Sequence, residues 1–535
     1  MHTDVVVVGG GISGLVTALH CVRAGYKVAL FEKNPRFGGR IKTVHNKHGR
    51  FEAGAGRVST NHARTLALLA EFGMTLQTNS DKMQYRDIYC TRDSVSRRIP
   101  HPSLLRRVIK QSRSMDVQRL KNMTFGMLCQ ELLGPVNYYK LCQSFGYDAE
   151  FQLINAYDGL EMFKSDFAND TKYVSCVEGL GEWVDRIVTA ITESGNASVY
   201  LEHTVLSWKR GMSVIVRNTK GQTLHVHAKA VVYAIPKHDL QEASEWNSYQ
   251  RSMIDSVEEV PLHRIYGRFP APKQKPWFHE LPKTSTNADI RQFIPISKSK
   301  GIAMVSYSDT GKAAAWHQAA YMGEKVLRSA LLQQLHVVFP EFPKIPSPTW
   351  IQSHYWSAGV HMWKPGADSE KVSDAMIQPY GADTPLYVVG ECYSKHQAWI
   401  EGALETVDRM LPRLKDWLAS FAKKKGGDVP SIVKYAKQKR HGVLTQKDLS
   451  YMQTNFPDEV WVVLRDPRDK RKKVVLVTEW MNIHPGGAFP FESHMYQDVT
   501  ELFMAQSAHR SDTENSHIKQ HVSQMLSKYT IGTLI

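Results

Sequence analysis

DVVVVGGGISGLVTALHCVRAGYKVALFEKNPRFGGR, residues 4–40, decides the fold of this chain. The unbroken apolar run at residues 5–8 reads as a strand buried on both faces, the pattern of a parallel sheet covered on each side. Gly9, Gly11 and Gly14 follow it at once in G-x-G-x-x-G order. Gly9 permits a tight turn, Gly11 lets the backbone approach a pyrophosphate, and Gly14 lets the helix that opens at Ile12 pack closely on the strand. The first N–H groups of that helix, around Ile12 and Ser13, favour a bound anion together with the helix dipole. A second strand over 27–31 ends in Glu32 and Lys33, about where this fold sets an acidic side chain against a ribose hydroxyl. Strand, glycine turn, helix, second strand and terminal acid together predict an α/β, Rossmann-type nucleotide-binding domain.

The chain has 535 residues, enough for two to four domains with their own cores. Its apolar fraction of 42% and charged fraction of 22% are those of a globular protein. No apolar stretch approaches bilayer length, and the N-terminus enters a core strand by Val5 without a basic leader, so the expected setting is intracellular and soluble. Six cysteines (Cys21, Cys90, Cys129, Cys142, Cys176, Cys392) are scattered without C-x-x-C spacing and read as reduced thiols, neither a disulfide framework nor a zinc site. A net charge of +15 leaves contact with nucleic acid or another anionic surface open; a solvated basic surface explains it equally well.

Residues 34–40, NPRFGGR, resemble the G-G-R segment of flavin-containing amine oxidases, in which the arginine lies against the dinucleotide phosphates. The resemblance implies FAD, with Gly39 and Arg40 beside it. Residues 51–59, FEAGAGRVS, are similar to the segment of that family that passes the flavin, in the G-x-x-R form of L-amino-acid oxidases. Gly56 then lies next to the cofactor, and Arg57 matches the arginine that grips a substrate carboxylate, which a guanidinium can do bidentately. Further family-like elements follow in order: the glycine turn SCVEGLGEWVDR at 175–186, the strand VYLEHTVLSW at 199–208 whose Val205 meets the adenine, and AVVYAIPKHDL at 230–240. Between them, residues 81–173 carry helical periodicity and many Arg, Lys, Met and aromatic side chains, as an inserted substrate domain would. The basic turns at Arg97–Arg98 and at Arg106, Arg107 and Lys110 could face a polyanion.

Two positions depart from the family pattern. Arg264, in PLHRIYGRF, stands where amine oxidases carry a lysine that holds a water near the flavin. A guanidinium stays protonated and cannot act as a base, which argues against ordinary reactivity with oxygen. In HYWSAGVHMWKPGAD, residues 354–368, Val360 replaces the flavin-linking cysteine of monoamine oxidases, so FAD is expected to be non-covalent, and His361 follows where one wall of the aromatic cage would stand. The second wall is Trp399, in LYVVGECYSKHQAWIEGALETVDRML at 386–411, the family's final fingerprint. There Gly390 and Glu391 approach the ribityl and phosphate region, and the helix near Trp399 and Ile400 points at the flavin.

Residues 421–455 read as a basic, Gly/Pro-punctuated linker. The remainder, about 456–535, resembles cytochrome b5: strands at WVVL and VVLVTEW, HPGG at 484–487, DVTELF at 498–503, a second histidine in QSAHRSDTENS, and a closing YTIGTLI. His484 and His509 match the two axial ligands of a b-type haem. With both axial positions filled, such an iron carries single electrons and offers no site for oxygen.

The expected architecture is therefore α/β: a Rossmann-type FAD-binding domain (1–80, 174–245, 380–420) with an α+β substrate domain inserted (81–173, 246–379), plus a small α+β cytochrome b5-like domain. The expected activity is oxidation of an amine or amino acid, with a hydride equivalent passing to the flavin between His361 and Trp399 and electrons moving on to the haem or to another one-electron partner. A porphyrinogen or polyene substrate on the same scaffold, a non-catalytic FAD- and haem-binding protein, and a reductase fed by NAD(P)H stay open at this stage. Only one dinucleotide fingerprint is present, which disfavours the last.

Overall fold

The computed structural model describes residues 1–80, 82–89, 95–96, 100–166, 172–209, 213–243, 246–426, 435–436, 439, 443–455, 461–466, 471–476, 496–500, 526 and 530–534. The chain divides into two compact units, Met1–Leu418 and Ala419–Ile535.

In the first unit the strand His2–Val8 runs parallel to Val28–Phe31 on one side and to Thr223–Tyr233 on the other. Ala197–Tyr200 and Leu386–Val388 extend the parallel part, and the antiparallel strands Ser213–Asn218 and His203–Lys209 complete seven. The valine run is explained by burial on both faces. Val5 and Val7 pack with Leu15, Leu19, Trp183, Ile187 and Val407, from the helices Ile12–Arg23, Leu180–Glu193 and Ile400–Gly426. Val6 and Val8 face the opposite layer with Phe31, Trp208, Trp246 and Trp363. Close packing of the first helix on its strand depends on Gly14, where a Cβ would stand 1.9 Å from the Gly9 carbonyl oxygen.

A second seven-stranded sheet runs in the order 350–363, 257–268, 302–309, 292–297, 283–286, 83–86, 95–96. Helices between His101–Gln111 and Ala156–Asp166 cover one side of it, where Phe125, Phe145, Phe151 and Phe163 pack with Val260 and Met362. Thr310–Tyr321 and Glu324–Val338 cover the other, against Ile265 and Val305. The helical periodicity of 81–173 is thus realised in its larger part, and Met83–Arg86 joins the sheet beside Lys283–Thr286. The strands Val257–Arg268 and Trp350–Trp363 fall out of step. Between Val260 and Leu262 the partner runs from Val360 to Trp356, so residues 357–359 bulge.

In the second unit Val443–Leu444, Thr530–Leu534, Lys472–Leu476 and Trp461–Arg465 form a four-stranded sheet. Here the reading of 421–455 as a tether needs correction. Ala436, Leu444, Leu449 and Met452 are buried in one core with Trp461, Val463 and Val474. Leu449 and Met452, three apart on the helix Gln446–Asn455, present one face to that core, an amphipathic signal masked by the surrounding Lys and Gln. His484, His509, His494 and the HPGG turn lie outside the described residues, as do Cys90, Arg97 and Arg98. The other five cysteines are free and buried. Among the described residues no helix is long and apolar enough to cross a membrane.

Candidate functional site

A cavity of about 1320 Å³ opens where the parallel strands of the first sheet end. Its wall includes Val8, Gly9 and Gly11 after the first strand, Glu32 and Lys33 after the second, Ala234 to Pro236 after the third, and Gly390 and Glu391 after the last. Ligands of doubly wound sheets sit at this edge. The helix Ile12–Arg23 starts in the cavity with no side-chain cap and no acidic residue in its first turn. Its N-terminal N–H groups therefore remain for an anion. A Cβ on Gly9 would strike the Ala234 carbonyl, whereas one on Gly11 would meet nothing within 4 Å. The Gly11 backbone thus fronts open space. Arg36, Arg40 and Lys42 add positive charge along the wall, and Val205 lines the far end. A glycine cradle, an anion-seeking helix start and basic flanks fit a dinucleotide with its pyrophosphate over Gly11 and Ile12.

Glu391 is the hub of the opposite wall. One of its carboxylate oxygens accepts from the His361 N–H (2.9 Å) and the Ala398 N–H (2.8 Å). The other contacts Arg40 Nη1 (2.7 Å) and His361 Nδ1 (2.8 Å). Burial by itself would raise this carboxyl, but Arg40 and His361 hold it well below the usual carboxylate range. The same carboxylate pins Ala398, whose φ of 70° is left-handed for a residue with a side chain. It thereby fixes the approach to Trp399, which lines the cavity with Ile400.

His361 is not a cage wall. Its ring is fully buried, is absent from the cavity lining, and bridges Glu391 to Glu259, whose Oε1 lies 3.4 Å from Nε2. Burial opposes a charge there, yet Cys392, Glu391 and Glu259 raise its pKa well above the ordinary histidine value. The reason lies in strand parity: Val360 takes the cavity side, and the next residue must point to the other face, where Glu259 is its register partner.

Trp399 stacks on Tyr173, with ring centroids 6.0 Å apart and planes 14° from parallel, and meets His62 edge-on at 4.8 Å; neither partner ring is part of the cavity wall. Pairing of Val58–Ser59 with Tyr173–Cys176 brings Arg57 to these rings. Its guanidinium carbon lies 4.6 Å from the Tyr173 centroid and 5.7 Å from that of Trp399. The side chain is half-buried and has no hydrogen bond or ion pair with any described residue. Stacking holds the face of a guanidinium and leaves its in-plane N–H donors free. Arg264 is committed differently. It donates to the carbonyls of Glu52 and Gly54 and to Tyr307 Oη (3.1 Å), bracing the 52–57 segment from the cavity side.

Of the residues singled out in the sequence, Gly9, Gly11, Ile12, Ser13, Glu32, Lys33, Gly39, Arg40, Val205, Arg264, Gly390, Glu391, Trp399 and Ile400 line one cavity. Gly14, Gly56, Arg57 and His361 do not. Glu32 accepts from the Gly10 and Asn34 N–H groups, both at 2.8 Å, and Lys33 pairs with Asp239 at 2.6 Å. Sequence reading missed Tyr173 and Tyr307, single aromatics in strands without a motif around them.

A nucleotide cradle on one sheet and an aromatic-walled chamber against a second define a dinucleotide-dependent oxidoreductase. The chain belongs to the flavin-containing amine oxidoreductase family, whose model matches residues 12–409. Residues 448–535 match the cytochrome b5-like haem/steroid binding domain. The protein is thus an FAD-dependent oxidoreductase with a C-terminal domain of a haem-binding type. Among its relatives is the Bacillus subtilis protein named "Putative L-amino-acid oxidase YobN", 22% identical over 460 residues, spanning 75% of this chain and 92% of that protein. The flavin-dependent L-tryptophan oxidase RebO of Lentzea aerocolonigenes is 31% identical over 90 residues, 16% of this chain and only 19% of its own length. A solved structure of putrescine oxidase redesigned in its cofactor binding superposes with a TM-score of 0.63 at 16% identity, covering 78% of this chain and 99% of that one, a likeness of fold.

Proposed function

We propose that this protein oxidises an α-amino acid at the carbon bearing nitrogen and passes the electrons to the haem of its own C-terminal domain. FAD, when bound, supplies a two-electron acceptor that can release electrons singly. The residues that would hold it are Gly9, Gly11, Ile12 and Ser13 at the pyrophosphate, Glu32 at the ribose, Val205 at the adenine, and Arg40, Gly390 and Glu391 along the chain between. Trp399 walls the reacting space, with Tyr173 stacked on it. Arg57 binds and orients the substrate carboxylate, and Arg264 acts as a positioning residue that sets the 52–57 segment. His484 and His509 are the proposed haem ligands.

The observation that carries this reading is the Arg57 guanidinium, stacked on two aromatic rings with its hydrogen-bonding edge unused. A guanidinium with no ion pair to any described residue is best compensated by an anionic ligand. The names of YobN and RebO point the same way. The test is a comparison of matched pairs, each amino acid against its decarboxylated amine, by anaerobic bleaching of the flavin. Amino acids are expected to reduce it and the amines to fail or lag by about a hundredfold. Equal rates for amine and amino acid would remove Arg57 from substrate binding.

A further inference from the structure

The groups behind the Glu391 wall form an unbroken line of contacts that joins the two sheets. Arg40 Nη1, in the cavity wall, donates to the Glu391 carboxylate at 2.7 Å and to the Gly359 carbonyl at 3.2 Å. The same carboxylate oxygen lies 2.8 Å from His361 Nδ1. On the far side of the ring, Nε2 lies 3.4 Å from Glu259 Oε1, which also accepts from the His238 N–H at 2.9 Å. Arg40 and Glu391 belong to the nucleotide-binding part, whereas Glu259 and His361 are register partners on adjacent strands of the second sheet. The His361 side chain is 0% exposed and that of Glu391 4%, so water screens neither.

This geometry fixes the protonation of the ring. An ionised carboxylate can only accept, so an imidazole with a carboxylate oxygen at each nitrogen satisfies both contacts only when both nitrogens carry a proton. His361 is then a cation. Glu391 is the acceptor throughout, because its two oxygens also take the N–H groups of His361 and Ala398 and the Arg40 guanidinium. The groups facing the ring are Glu391 and Cys392 from one turn and Glu259 from the neighbouring strand. Burial opposes the charge, and these three outweigh it. From Arg40 to Glu259 the charges alternate and cancel. Loss of the middle cation would leave two carboxylates, one of them deeply buried, against Arg40 alone.

We propose that His361 is a positioning residue of the cofactor site: held as an imidazolium behind the wall, it keeps Glu391 ionised against Arg40 and cancels its charge, and so sets how tightly FAD is held and how readily the bound flavin accepts electrons. Without the cation Glu391 takes up a proton more easily, Arg40 and Ala398 lose their fixed partner, and the wall that leads to Trp399 and Ile400 loosens. Where Glu391 stays ionised, an uncompensated negative charge beside the cavity opposes the arrival of electrons. The proposal holds for any substrate, so the comparison of amines with amino acids does not bear on it.

The test uses the full-length protein, with FAD titrated into the apoprotein for affinity and a spectroelectrochemical titration of the loaded protein for the flavin midpoint potential. His361→Gln is expected to weaken FAD binding about tenfold or more, as removal of one partner from a buried charge pair does. Its affinity should also fall with acid between about pH 8 and 5, as Glu391 takes up a proton, where that of the unaltered protein stays flat. At the alkaline end its midpoint potential should lie lower by about 30 mV, a tenfold change in a two-electron equilibrium. Glu259→Gln keeps the shape and removes the outer negative charge, so its potential should move up. His361→Lys should recover part of both the affinity and the potential. Potentials that stay put in His361→Gln and Glu259→Gln, or move the same way, would overturn the proposal. So would equal loss of FAD from His361→Gln and His361→Lys with no change of pH profile, the mark of a residue that acts by shape. Should His361→Gln not fold, the sign of the shift in Glu259→Gln, at a partly exposed position, still decides.

Discussion

Glu391→Gln is expected to destabilise the N-terminal unit by about 3 kcal/mol or more, because it removes the negative partner of a fully buried His361 and of Arg40 at once. Glutamine is nearly isosteric, so the effect reports charge and hydrogen bonding, with packing held constant. Thermal denaturation of the FAD-loaded protein should show a melting temperature lower by several degrees. Freeing Ala398 should also loosen Trp399, so FAD content after dialysis is expected to fall. The pH dependence follows from the two shifts. The lowered Glu391 pKa stabilises the fold above its ordinary value of 4.5, and that contribution is lost as pH falls through the depressed folded value. The raised His361 pKa stabilises the fold below its ordinary 6.5 and is lost as pH rises through the elevated one. The unaltered protein should therefore lose stability in acid more steeply than Glu391→Gln, and the two curves should converge at low pH. Parallel curves would mean that the carboxylate carries no such charge.

Arg57→Leu is expected to lower kcat/KM for amino-acid substrates by about a hundredfold or more, as removal of one partner from a desolvated charge pair does. Because the variant keeps an apolar body against Tyr173 and Trp399, the flavin spectrum and melting temperature should stay close to those of the unaltered protein. Arg57→Lys should recover only part of the activity, since an ammonium cannot make the bidentate contact. Steady-state kinetics with the same amino acid, beside flavin content and thermal denaturation, separate these outcomes. Loss of FAD together with activity would make Arg57 a structural residue of the cofactor site.

The parts of this molecule that could be read from its sequence are those fixed by local rules. Residues 5–14 announce a strand, a turn and a helix through periodicity and glycine spacing, and Glu391 sits in a fingerprint whose order along the chain is itself informative. What escaped depends on tertiary placement. His361 aligns with a cage residue, but the bulge at 357–359 and the alternation of the strand send its ring to the reverse face, onto Glu259. Arg57, Tyr173 and Trp399 come from three separate segments, and no spacing rule links them. Ala436, Leu444, Leu449 and Met452 were hidden in a stretch whose charge suggested a tether, because a few apolar residues among many lysines suffice to close a small core.

The most direct measurement is a single anaerobic turnover. The full-length protein, loaded with FAD and haem, is mixed rapidly with excess amino acid while the flavin and haem bands are followed together. The flavin band is expected to bleach first and the reduced-haem band to rise after it, at a rate independent of protein concentration, with His484→Ala retaining the first phase and losing the second. A flavin that no amino acid bleaches, or a haem that stays oxidised beside a fully reduced flavin, would contradict the account.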